Sequence, residues 1–416
     1  MDTVDLARLQ FALTAGAHFL FVALTLGLAT LLAAVQTAAT LSGKDVHLRM
    51  TRFWGQLYII NYAMGIVTGL VMEFQLGLSW SGLTNYAGDV FGSALAIETL
   101  VAFFVESTFL GLWIFGWNKL NRWAHLALIW VVTLTAYASA FWILVANGFL
   151  QNPVGHVVEN GRLRLTDFGA MVANPAAQAA FWHVLVGGLI VGGFFMAGVS
   201  AYHLRRRTPE HEVFRKSLRI GVGVALPATF LNAVFGGISF QTLQPAKSAA
   251  WSGSASMLAE AQAEFAARFG PGDYLPDVGW VRTGGMVMIM LWLLMLMVAG
   301  PSFLLMFVKP AVYRFRLWHW VLTLMIPVPF LAMMGGWVFR EMGRQPWVVY
   351  GLLRTSEAMS PVTGAQAALS LAAFATVFAV LIAVNTWLLA RYARRGLGAV
   401  ALGDRPIEAP VPVPSF

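Results

Sequence analysis

Cysteine is missing altogether from the 416 residues. That absence excludes disulfides, thiolate metal sites, iron–sulfur clusters and covalently attached c-type haem, so any metal must be held by histidine, methionine or carboxylate. Charge is scarce as well: 11% of the residues are Asp, Glu, Lys or Arg, against roughly 25% in a soluble domain. No repeat period, low-complexity tract or soluble domain is visible. A cleavable leader is not expected either. Met1 to Phe11 contains Asp2 and Asp5, has no basic leading segment, and runs into an apolar stretch too long for a signal-peptide core, so it is expected to remain as the first helix.

What is present is hydrocarbon. Apolar residues make up 58% of the chain and the mean hydropathy is +0.70. A helix needs about 20 such residues to cross about 30 Å of bilayer core. Nine stretches qualify, near 11–38, 53–78, 92–116, 124–149, 180–203, 218–241, 284–308, 318–339 and 366–390. The expectation is therefore an all-α multi-pass membrane protein with its termini on opposite sides. Orientation follows from the basic residues, which accumulate in cytoplasmic segments. One alternate set of connections, including Lys309, Arg314, Arg316 and the basic carboxy-terminal tail, carries 18 of the 27 Lys and Arg, and the other carries 9. This places the amino terminus outside and the carboxy terminus in the cytoplasm, and it explains the net charge of +8 without nucleic acid. The chain divides into helices one to six (1–241), an outer loop (242–283), helices seven to nine (284–395) and a disordered tail (396–416) that includes Ala409 to Pro414. Two outer connections are long, 151–179 and 242–281. In the second, Leu258 to Phe265 reads as a short amphipathic helix stopped by Gly270-Pro-Gly.

Ionisable side chains are costly inside a membrane and few are kept there without a use. Those within the spans are His18, Glu73, Glu98, Glu106, His183 and Glu341. His125, His203 and His319 sit at cytoplasmic helix ends and are expected to be solvated. A lone intramembrane histidine is most simply bonded to a neighbouring helix, but two of them in a cysteine-free chain with buried acids also suit haem iron. Glu98 and Glu106 are eight positions apart, about 80° in angle and about 12 Å in height on a uniform α-helix. They read equally as hydrogen-bonded core acids or as a proton relay. Glu341-Met-Gly-Arg-Gln-Pro-Trp347 puts a carboxylate, a guanidinium and an indole together where an apolar run ends. Such a grouping calls for a partner, and a bound metal cofactor is one.

These residues resemble a family, subunit I of the cytochrome bd-type respiratory oxidases. The likeness is carried in order by Leu6-Ala-Arg-Leu-Gln-Phe-Ala-Leu-Thr14 with His18, and by Gly65-Ile-Val-Thr-Gly-Leu-Val-Met-Glu-Phe-Gln75. Leu95-Ala-Ile-Glu98 with Ala102-Phe-Phe-Val-Glu-Ser-Thr-Phe-Leu-Gly111 follows, then Trp142-Ile-Leu-Val-Ala-Asn-Gly-Phe-Leu-Gln-Asn-Pro153. Asn174-Pro-Ala-Ala-Gln178 with His183, and Gly343-Arg-Gln-Pro-Trp347, complete the set. The resemblance implies an O2-reducing quinol oxidase of nine membrane helices in a bacterial or archaeal cytoplasmic membrane. Its implied cofactors are two haems b, one low-spin and one high-spin, with haem d or a third b-type haem, and its implied partner is a second membrane subunit or a paralogous copy. By the same resemblance His18 is an axial ligand at the oxygen-reducing pair, and Glu98 and Glu106 are acids of the oxygen site and its proton path. Glu341 ligates or neighbours the other high-spin haem, Arg344 and Trp337 pack on that haem, with a propionate in the Arg344 fork, and His183 is an axial ligand of the low-spin haem.

Two positions depart from the family pattern, both where electrons arrive. The methionine ligand expected two residues after Arg282 is Gly284, leaving Met286 and Met288 as alternatives for ligation, or both facing lipid. In the outer loop Lys247 matches the quinol lysine, but the glutamate expected five residues later is Ser252, with Glu260 further along. The alternative to a quinol oxidase is therefore a divergent haem oxidase with another donor, and a haem-free proton-coupled transporter is the remaining class.

Overall fold

The computed structural model describes residues 2–308 and 315–403. Among these residues nine helical stretches are long and apolar enough to cross a bilayer. They are formed by α1 (Thr3–Ser42), α2 (Asp45–Ser79), α3 (Ser81–Ile97) with α4 (Phe104–Phe115), α5 (Arg122–Gln151), α6 (Phe168–Val172) with α7 (Pro175–Arg206), α8 (His211–Gln241), α11 (Val278–Leu305), α12 (Arg316–Leu324) with α13 (Val328–Met342), and α14 (Gly364–Arg395). Each expected span coincides with one of them; seven lie wholly inside, and those near 92–116 and 284–308 run past the helix end at Phe115 and Leu305. Starts are capped as local chemistry dictates: Asp2, Asn121, Asn174, Asp277 and Thr363 each accept a hydrogen bond from a first-turn amide.

The helices α1 and α7 form the enclosed centre and α14 the periphery. Small residues allow this. A Cβ on Gly27 would come within 2.1 Å of the Gly188 carbonyl and 2.8 Å of the Gly192 amide. Gly188 and Gly192 thus form the small-xxx-small face by which membrane helices cross closely.

Connections at one end of the bundle are structured. His156–Glu159 (β1) pairs antiparallel with Arg162–Leu165 (β2) around Asn160 and Gly161, both at positive φ, the signature of a two-residue hairpin turn. The Asn-Gly dipeptide carried that signal, so the all-helical expectation needs this amendment. The loop between the sixth and seventh spans holds the expected amphipathic helix, α10 (Ala255–Phe269), and a further one, α9 (Pro245–Ser252). A last hairpin of Trp347–Val349 (β3) and Leu353–Arg354 (β4) follows α13 at this end.

Three expectations are corrected. His125, His203 and His319 are buried, not solvated. His125 is closed between Gln36 and the Trp113 carbonyl, and His203 bonds the Ala393 carbonyl while stacking on Phe214. Second, residues 396–403, expected to open a disordered tail, return to α2: Gln56 donates to the Ala399 carbonyl and accepts from the Ala401 amide, and Leu402 is buried. The rest of that tail, with Ala409 to Pro414, and the basic residues Lys309 and Arg314 lie outside the described residues. Third, a π-helical turn, Glu98–Phe103, separates α3 from α4. The inward positions Ala94, Glu98, Ala102, Glu106 and Leu110 are spaced by four, which on a uniform α-helix drifts by about 40° per step. The wider turn absorbs that drift, so the 80° separation of Glu98 and Glu106 does not apply.

Candidate haem and oxygen site

A cavity of about 520 Å3 runs through the bundle beneath the structured end. It is lined by His18, Glu98, Glu106, His183, Met288, Trp337, Glu341, Arg344 and Lys247, so the structure gathers nearly every sequence-predicted residue around one space. Met286 and Arg282 are left out. The Met286 side chain is half exposed on the outer surface, and Arg282 is exposed beside Gly253.

At the acid end, Ser139 Oγ donates to Glu98 Oε1 at 2.6 Å. Thr99 Oγ1 lies 3.2 Å from Glu98 Oε2 and 2.9 Å from Glu73 Oε1. A hydroxyl has one proton to donate, so Thr99 serves one of the two carboxylates at a time. Glu106 is buried on the inward stripe of α4 with Leu110 and Trp113, and Tyr62, bonded to Ser107 at 3.4 Å, lines the same wall.

The two imidazoles are prepared differently. His18 Nδ1 is 2.9 Å from Thr68 Oγ1, and that hydroxyl donates to the Met64 or Gly65 carbonyl at 2.9 Å. Thr68 therefore accepts Nδ1–H, which leaves the Nε2 lone pair of His18 free for a ligand. His183 has its Nδ1 buried without a hydrogen-bond partner, and its carbonyl accepts from Asn232 at 2.9 Å. Glycines keep both rings clear, since a Cβ at Gly69 or Gly236 would stand 3.2 Å from His18 or His183 Cε1.

Around the departure at 284 the helices α11 and α13 cross closely. A Cβ on Gly284 would meet the Gly335 carbonyl and the Phe339 amide at 2.8 Å. Position 284 is packed against backbone and has no room for a ligand. Met288, one turn along, turns its thioether toward Gly336 and the cavity: a Cβ on Gly336 would lie 2.8 Å from Met288 Sδ.

The residues after α13 form the polar end. Glu341 accepts from Asn147 (3.0 Å) and Gln151 (3.3 Å) at Oε1 and from Arg344 (2.5 Å) at Oε2. Arg344 Nη1 faces the Trp347 and Val348 carbonyls and its Nε is buried with no hydrogen-bond partner among the described residues, so both Nη groups are held by the chain where the sequence suggested a propionate. Lys247 is buried here as well, its Nζ on Gln151 Oε1 at 2.9 Å, and its stem passes Gly343 where a Cβ would clash at 2.6 Å. Burial, reinforced by Arg340, pushes the Lys247 ammonium well below its ordinary range against the pull of Glu341. Trp347 leaves the acid and stacks with Tyr274 and Phe265, tying the motif to the outer loop. Ser252 closes α9 by donating to the Ala249 carbonyl, and Glu260 is exposed on α10.

Sequence reasoning counted charges and overlooked neutral partners inside the spans: Thr68, Thr99, Ser139, Asn147 and Gln151. It also took Arg340 only as an orientation charge. Arg340 lines the cavity with its Nε 2.8 Å from Asn147 Oδ1 and 3.9 Å from Glu341 Oε1. Its position directly before Glu341 was the available signal.

Comparison with known proteins agrees with this arrangement. The family model described as cytochrome bd terminal oxidase subunit I matches residues 6–268 and 254–397. A Bacillus subtilis (strain 168) protein named cytochrome bd ubiquinol oxidase subunit 1 is 36% identical, over 100% of this chain and 98% of the relative. An Escherichia coli (strain K12) protein named cytochrome bd-II ubiquinol oxidase subunit 1 is 32% identical, over 96% and 98%. The solved bd oxidase from Geobacillus thermodenitrificans superposes with a TM-score of 0.83 at 25% identity, over 95% of this chain and 99% of that one. The chain belongs to the cytochrome bd terminal oxidase subunit I family.

Proposed function

We propose that this chain is the haem-bearing subunit of a membrane quinol:O2 oxidoreductase, working with a second membrane subunit in a bacterial or archaeal cytoplasmic membrane. The observation that carries the reading is one cavity enclosing two ligand-ready imidazoles, the Met288 thioether and four acids. The relatives' names, both ubiquinol oxidases, favour quinol over another donor.

The residues fit haem. His18 presents a free Nε2, His183 has unsatisfied hydrogen-bonding capacity, Met288 supplies a sulfur, and Gly69 and Gly236 leave room beside the rings. On this reading His183 and Met288 hold a low-spin haem b. His18 serves a high-spin haem, d or b, at the oxygen-reducing end, and Glu341 with Trp337 borders a second high-spin haem. When bound, haem supplies electron transfer and O2 reduction. The chain supplies ligands, spacing and protons. Glu98, held by Ser139 and Thr99, is placed to deliver a proton at the oxygen-reducing end, with Glu106 as the acid toward the cytoplasmic side. Arg282 and Lys247 are the loop-side residues matched to quinol oxidation. Of these only Arg282 is exposed to meet a membrane-borne donor. The purified complex is expected to show reduced-minus-oxidised haem bands, extractable haem and quinol-driven O2 uptake; a haem-free preparation with both subunits present sinks the proposal.

A further inference from the structure

Three cations surround one anion at the polar end of the cavity. Lys247, Arg340 and Arg344 converge on Glu341, and among the described residues Glu341 is the acid paired with them. Glu98 is engaged by Ser139 and Thr99, and no ion pair joins it to this cluster. Two arginines against one carboxylate leave one positive charge in excess, and a protonated Lys247 adds a second. Arginine does not deprotonate, and uncompensated charge away from water costs kilocalories, so an anion belongs here.

Geometry selects the groups that would meet it. Arg344 gives both Nη groups to Glu341 and two carbonyls, leaving a single buried Nε–H without a partner among the described residues. Lys247 makes one hydrogen bond, to Gln151, leaving two ammonium protons. Arg340 gives Nε to Asn147 and reaches the Ala176 carbonyl at a long 3.5 Å, with no hydrogen bond from Nη1 among the described residues. Through Ala176 it meets α7, the helix that carries His183, and both side chains line the cavity. Arg340 therefore links α7 on one side to the Glu341 cluster on the other.

We propose that Arg340 and Lys247 form an anion clamp for the carboxylates of the porphyrin seated between His183 and Glu341. Arg340 is a positioning residue that sets the reduction potential of the haem held by His183. The inference rests on the haem reading above. A cation beside a haem disfavours the ferric state, so its removal lowers the potential, and porphyrin carboxylates deprived of their cations titrate more readily. A deprotonated quinol would offer the same anionic chemistry, and the measurements below separate the two.

The test uses the purified two-subunit complex carrying Arg340→Gln, Arg340→Lys or Lys247→Met. Spectroelectrochemical titration at several pH values, haem content, and kcat and KM for quinol are measured for each. The clamp predicts a lower and more pH-dependent potential of the low-spin haem in Arg340→Gln, recovered in Arg340→Lys, with kcat falling and KM held. Lys247→Met shifts a haem potential or haem content in the same sense, and carries the test alone if Arg340→Gln does not assemble. Unchanged potentials and haem content with a raised KM overturn the clamp and assign the cations to quinol. Absence of haem from the unmutated complex overturns the functional reading itself.

Discussion

Thr68 commits its one hydroxyl proton to a carbonyl of its own helix and so meets the His18 ring as an acceptor. Partners of this kind fix the tautomer of a ligating histidine, and losing one typically costs 10–100-fold in metal affinity, by order of magnitude. Thr68→Val is accordingly expected to leave the helices intact by circular dichroism but lower retention of the high-spin haem about tenfold or more, read by pyridine haemochrome after detergent washing. A second contrast concerns sulfur. Met288 faces the cavity and Met286 the outer surface. Met288→Leu should abolish the low-spin spectrum while Met286→Leu preserves it; the reverse outcome would move the ligand to the other face of α11.

Gly284 belongs to the helix crossing. Its Cβ would strike the backbone of α13 at 2.8 Å, so restoring the family's methionine by Gly284→Met is an overpacking change and not a gain of ligand. Such insertions typically cost about 1–3 kcal/mol. The variant is predicted to melt at lower temperature with weaker haem retention; a stable protein with an unchanged or stronger low-spin band would refute this account of the crossing. The same position shows what the sequence could disclose. Hydropathy located all nine spans because length and apolarity act residue by residue, and the missing methionine at 284 was plain. Which of the alternatives Met286 and Met288 faces the cavity was not, because it depends on how α11 meets α13. His125, His203 and His319 escaped for the same reason: helix-end position suggested water, while tertiary packing gave them Gln36, Ala393 and buried surroundings. The turn Glu98–Phe103 was recoverable in principle, since inward residues four apart over four steps do not suit a uniform α-helix.

Across the whole molecule, the ligand-bearing residues lie toward the end that holds the hairpins and the loop helices α9 and α10. Lys and Arg favour the connections at the opposite end by two to one, a bias from which a cytoplasmic carboxy terminus is expected. A fluorescent-protein fusion after Phe416 is predicted to fluoresce, and an alkaline phosphatase fusion at the same point to be inactive; active phosphatase there would reverse the topology. The loop that covers the cavity bears on how the protein is made. Trp347, Tyr274 and Phe265 fasten this loop down, and Lys247 on its α9 is buried against the cavity beside Arg340, Arg344 and Glu341. On the haem reading proposed above, closure and cofactor loading form a single thermodynamic event, because binding energy that exists only in the closed form is also folding energy. That reading gives maturation a direction in which the porphyrin arrives first and the loop settles over it. In haem-starved cells the segment 242–277 should therefore be cut readily by added protease, becoming resistant once haem is restored; equal resistance in both states would show that the loop closes by itself.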